Sequence, residues 1–154
     1  FATHLWYGLP ATGKSGGGLA AIQYAPSVLT TQVSGQPVTI TQDTGYPFSE
    51  TVQFTFSMPK AARFPLEFRV PGWCAEAALT LNGQPLQRGK GGTMLRVERT
   101  WQPGDRLLLT LPMRVTTSNW AKNSRAVERG PLVYALRVAA DWTQKEIREE
   151  GTYY

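Results

Sequence analysis

The stretch "TVQFTFS" (51–57) sets Val52, Phe54 and Phe56 between Thr, Gln and Ser. A period of two is the period of a β-strand with one dry face and one wet face. A helix would need its apolar residues three or four apart. The same alternation returns in "PLEFRV" (65–70) with Leu66, Phe68 and Val70, and in "PVTITQ" (37–42) with Val38 and Ile40. Side chains in such a pattern are buried only when another layer covers the dry face, and with many strand signals and little helix signal that layer is expected to be a sheet.

Turn chemistry separates these runs. Asn82-Gly83 lies inside "ALTLNGQPL" (78–86), and both residues tolerate positive φ. "QPGD" (102–105) separates "TMLRVERTW" (93–101) from "RLLLTLPMRV" (106–115). "LAAIQYA" (19–25) and "PLVYALRVA" (131–139) are further apolar runs. The 15 Gly and 11 Pro suit many short strands joined by tight turns. We count about nine strands, at intervals that suit a sandwich or a barrel. The expectation is an all-β, antiparallel β-sandwich, jelly-roll-like, with little helix. It spans 18–140, after a leading segment at 1–17 that reads as a linker or the tail of a preceding domain. A following region at 141–154 includes "DWTQKEIREE" (141–150), the one stretch that reads as a possible helix. The start at Phe1 and the finish at "GTYY" suggest a piece of a longer protein.

Charge and cysteine usage narrow the chemistry. The net charge is +5, but Arg63, Arg69, Arg88, Arg96 and Arg106 are scattered, with no basic block or helix. Nucleic-acid binders show clustering, so no nucleic-acid partner is expected. The uncharged run from Ser15 to Gln42 is rich in Thr, Gln and Ser, and no membrane span is expected. The single cysteine, Cys74, excludes an internal disulfide and a cysteine-based zinc cage. The compartment is not readable.

Each reactive residue has a plainer explanation. Gly8, Gly13, Lys14 and Ser15 have phosphate-loop spacing, yet Gly16-Gly17-Gly18 follows where a helix should open. His4 is the only histidine and reads as an ordinary terminal residue. Cys74, in "VPGWC" (70–74), reads as a small buried residue after a Pro-Gly turn. Glu67 and Glu98 fall on the polar side of alternating strands, which suits a solvated sheet face better than a glycosidase carboxylate pair. Trp6, Tyr7, Trp73, Trp101 and Trp120 could stack on sugars, but aromatics more often bury their area in a core. Trp101 shares its parity with Leu95 and Val97 and should be packed.

The phrases "FRVPGWC", "LTLNGQPL", "VERTWQPGDRLLLTLPMRV" and "NSRAVERGPLVYAL" occur here in order, after "LAAIQYAPS" and "TGYPFSETVQFTF". Together they resemble the β-sandwich region that follows the catalytic barrel in the β-L-arabinofuranosidase glycoside hydrolases, family 127 and relatives. The resemblance covers 18–137. It implies a bacterial-type parent whose chemistry belongs to an upstream α/α barrel, with a zinc-bound cysteine nucleophile and a glutamate acid/base. The barrel's adjacent cysteine pair has no match here, so no catalytic, cofactor or metal residue is carried over. The implied partners are the parent barrel and plant-type arabinose-containing glycans; the substrate-binding residues are unknown. The expected function is a non-catalytic sandwich bracing the barrel. The rivals are a free-standing carbohydrate-binding module using its Trp residues, and a protein-interaction sandwich.

"RAVERGPLVYAL" (125–136) poses the sharpest question: whether Glu128 and Arg129 are chemistry or merely precede a strand. The expectation is structural. Leu132, Tyr134, Leu136 and Val138 should face the core, Val133, Ala135 and Arg137 should form a second face covered only partly, by the parent barrel or a neighbouring segment, and Glu128 should matter little.

Overall fold

The computed structural model describes residues 4–11, 17–33 and 35–139. The possible helix at 141–150 and the Lys14 loop lie outside them. Thirteen strands run through the described residues: β1 (Trp6–Leu9), β2 (Gly18–Ala21), β3 (Ser27–Val33), β4 (Gln36–Thr44), β5 (Thr51–Ser57), β6 (Ala62–Arg69), β7 (Glu76–Leu81), β8 (Gln84–Lys90), β9 (Met94–Trp101), β10 (Arg106–Thr110), β11 (Val115–Asn119), β12 (Arg125–Arg129) and β13 (Leu132–Tyr134).

They form three sheets. One has the order β1-β2-β6-β9, a second β3-β4-β5-β10-β7-β8, and a third β11-β12-β13. The first two close on each other, and the chain crosses between them repeatedly, as in a jelly roll. The all-β sandwich is therefore the fold. Its pairs are antiparallel apart from β2 and β6, which run parallel with Leu19 opposite Leu66. β1 adds at the edge of the first sheet, with Trp6 opposite Ala21.

The alternating residues make the core. Val52, Phe54 and Phe56 on β5, and Leu66 and Phe68 on β6, are almost wholly buried. Trp101 is fully buried. Its ring stacks on Phe56 from the opposite sheet, with centroids 4.5 Å apart and planes 11° apart. Its indole Nε1 donates to the Phe64 carbonyl at 3.0 Å, so the polar tip is satisfied inside the core. Phe54 meets Phe68 across the layers at 5.1 Å.

Two turns are tied together beneath one end of the core. Asn82 and Gly83 take φ of 50° and 82°, the positive values a two-residue hairpin requires. Asn82 Nδ2 donates to Asp105 Oδ1 at 2.8 Å, and the Gln102 amide donates to Asp105 Oδ2 at 2.9 Å. The buried Asp105 carboxylate thus takes neutral donors on both oxygens. The "LNGQ" and "QPGD" signals are one linked feature.

The third sheet corrects the sequence reading. "RAVER" is itself strand β12, and Gly130-Pro131 is the turn into β13, with Gly130 at φ 58°. β13 ends at Tyr134. Leu132 is only half-buried, Tyr134 is exposed, and Leu136 and Val138 are 88% and 76% exposed. None of the four belongs to the core cluster. The interior is already filled by the first two sheets. An apolar stripe is buried only if another layer reaches it, and within the described residues none covers this one.

In urea denaturation, Trp101→Ala should cost about 3–5 kcal/mol through a core cavity. Leu136→Ala should stay within about 0.5 kcal/mol, as at other exposed positions. A larger loss for Leu136→Ala would contradict this placement of the final run.

Candidate functional site

β11 and β12 are joined by a tight turn at Ala121–Asn123, where Lys122 and Asn123 take positive φ. The Trp120 amide donates to the Ser124 carbonyl at 2.9 Å and closes the hairpin. The register sets Thr116 opposite Glu128 and Ser118 opposite Ala126. Thr116, Ser118, Ala126 and Glu128 therefore share one face. On that face Ser118 Oγ donates to Glu128 Oε1 at 2.8 Å, and Trp120 Nε1 donates to Ser118 Oγ at 2.9 Å. The Trp120 ring remains 66% exposed.

Arg129 points to the opposite face and ties the hairpin to the sandwich. Its Nη2 lies 2.8 Å from Glu50 Oε1, just before β5, and its Nη1 approaches Met113 Sδ at 3.6 Å. Gly130 packs on the same Met113: an added Cβ would fall 2.7 Å from its Cγ. Glu128 and Arg129 thus do more than precede a strand. Each holds a named partner: Glu128 is tied to Ser118 across β11 and β12, and Arg129 ties the sheet to the sandwich. A sequence signal for β11 exists in "VTTSN" (115–119), a β-branched run ahead of Trp120. Nothing in the sequence pairs Arg129 with Glu50, 79 residues apart.

The remaining candidates separate. Glu67 and Glu98 flank a single arginine: Arg96 reaches Glu67 at 2.8 Å and Glu98 at 3.7 Å, while Arg63 reaches Glu98 at 3.5 Å. This is a charge ladder on the outer face of the first sheet, where each pair contributes about 0–1 kcal/mol. Trp6 is partly buried and meets Phe54 edge-on at 5.8 Å. Trp73 is partly buried over the core, Tyr7 is exposed, and His4 lies 6.4 Å from Tyr7, ring to ring.

Cys74 is buried, with its amide donating to the Pro71 carbonyl at 3.0 Å. Burial pushes its thiol pKa up, and the nearby Glu50 carboxylate adds to the shift; a backbone hydrogen bond at Glu76 opposes both. A thiol held this way is a poor nucleophile, because the thiolate is the reactive form. Among the described residues no three His, Cys, Asp or Glu come together as a metal site. No helix among the described residues is long and apolar enough to cross a membrane.

Native Cys74 should resist alkylation by iodoacetamide at mildly alkaline pH and react fully once the chain is unfolded. Rapid stoichiometric labelling of the folded chain would contradict its placement.

Comparison with known proteins gives a consistent match. The family model described as the β-L-arabinofuranosidase GH127 middle domain matches residues 18–113. These residues run from β2 to just past β10. A GH127 β-L-arabinofuranosidase from Geobacillus stearothermophilus T6 is similar over 85% of this chain and 21% of its own, with 31% identity and a TM-score of 0.70. A structure described as a glycoside hydrolase is 34% identical over 77% of this chain and 22% of its own, with a TM-score of 0.69. A GH127 β-arabinofuranosidase shares the fold at 20% identity and a TM-score of 0.64, over 75% of this chain and 22% of its own. No curated protein matches. The chain spans about a fifth of the length of the solved relatives. With the family model covering most of the two-sheet sandwich, the chain belongs to the GH127 β-L-arabinofuranosidase family, as its middle domain.

Proposed function

We propose that this chain is the non-catalytic β-sandwich portion of a β-L-arabinofuranosidase-like hydrolase and that it braces a catalytic α/α barrel. The observation that carries the proposal is the coincidence of the family's middle-domain match with the closed aromatic core. A sandwich held by its own interior is a rigid support. The buried, pKa-raised Cys74 and the arginine-paired Glu67 and Glu98 favour support over chemistry. The relatives' greater length leaves room for the barrel, where the zinc, its cysteine ligands and the acid/base would reside. The substrate would be an arabinose-containing glycan of plant type.

The test uses the chain and its parent barrel in trans. The 154-residue chain should release no sugar from a β-L-arabinofuranoside, with or without zinc, and Cys74→Ser should leave that unchanged. The upstream barrel produced without this segment should lose thermal stability by several degrees, and co-production with the segment should restore it. Zinc-dependent turnover by the chain alone, abolished in Cys74→Ser, would overturn the proposal. So would a barrel indifferent to the sandwich.

A further inference from the structure

We propose that the Trp120–Ser118–Glu128 face of the third sheet binds a neutral saccharide, with a sugar ring stacked on Trp120 and a hydroxyl donating to Glu128. Three observations combine. First, Trp120 is exposed but fixed, since its Nε1 is spent on Ser118 Oγ at 2.9 Å. A pre-oriented indole offers a flat apolar surface at small entropic cost. Second, Glu128 differs from the other glutamates among the described residues. Glu50, Glu67, Glu76 and Glu98 each face an arginine, whereas Glu128 is held by the neutral Ser118 hydroxyl at 2.8 Å. Among the described residues no cation pairs with it, and an ionised carboxylate keeps several acceptor positions beyond the one that Ser118 occupies. Third, the shared serine links platform and acceptor, so both lie within the reach of one sugar ring.

The pairing selects the ligand. A sugar ring presents C–H groups on one face and hydroxyls at its rim, which match an indole face beside a charge-assisted acceptor. An organic cation would also favour an aromatic face and a carboxylate. Here Lys122 sits in the adjoining turn, Arg125 begins β12, and the chain carries a net +5. That positive field disfavours a cation and leaves a neutral hydroxylated ligand unaffected. One ring on one aromatic gives weak binding, about millimolar for a single sugar. The site lies beyond residues 18–113, so it is additional to the middle domain.

The experiment is an NMR titration of the 154-residue chain with L-arabinose, a linear arabino-trisaccharide and choline, following the Trp120 indole resonance and the β11–β12 amides. Both sugars should give saturable shifts centred on Trp120, Ser118 and Glu128, the trisaccharide at least as tightly as the monosaccharide. Trp120→Ala should abolish saturation, Trp120→Phe should retain part of it, and Glu128→Gln should weaken it about tenfold through loss of the charged acceptor. Unchanged β5, β6 and β9 amide shifts in the variants establish that the sandwich is intact. Absence of a saturable shift at Trp120, equal sugar binding in Trp120→Ala, or a response to choline alone would each refute the site. The readout involves no hydrolysis, so its failure leaves the bracing role untouched.

Discussion

The stacking of Trp101 on Phe56 is the contact on which the rest of the molecule depends. It joins the last residue of β9 to the middle of the opposite sheet, and the Nε1 bond to Phe64 fixes the ring in depth. Around it Phe54 links three further rings: Trp6 at 5.8 Å, Tyr24 at 6.4 Å and Phe68 at 5.1 Å. Each large aromatic buries more area than any aliphatic alternative, and offset or edge-on pairs add about 0.5–1.5 kcal/mol beyond that. The two sheets are thus held in register by aromatic contacts across the interior. The tied turns at Asn82 and Asp105 close one end of it.

Where a strand has one dry face and one wet face, its sequence announces it. Val52, Phe54 and Phe56 can satisfy only a strand, and the shared parity of Leu95, Val97 and Trp101 is enough to put the tryptophan inside. The outer strands are fainter. β8 is "QPLQRGK", an edge strand with almost no buried residue, so no pattern marks it. Nor is the parallel pairing of β2 with β6 legible, because Leu19 opposite Leu66 is a long-range register that local chemistry does not encode.

The final run misleads for a related reason. Leu132, Tyr134, Leu136 and Val138 form a sound apolar stripe, but periodicity reports which residues could share a face, not whether a layer covers it. The same limit hides the polar contacts. Glu50 and Arg129 are each unremarkable in sequence, and only the fold brings them to 2.8 Å. Ser118 carries no sequence signal of its own, although its hydroxyl joins Trp120 to Glu128. Of the aromatics weighed as sugar platforms, Trp101 is enclosed, Trp6 and Trp73 are partly buried over the core, and Tyr7 and Trp120 are exposed.

The molecule therefore has two levels of organisation: a two-sheet core that supplies its own cover, and a third sheet attached by Arg129, Met113 and Gly130. Native-state hydrogen exchange on the 154-residue chain tests this division most directly. The amides of β5, β6, β9 and β10 should exchange only through global unfolding, while those of β11, β12 and β13 should open at distinctly lower free energy. Equal protection of the third sheet and the aromatic core, or earlier opening of β5 and β9, would contradict the claim that the Trp101–Phe56 layer is what holds the chain together.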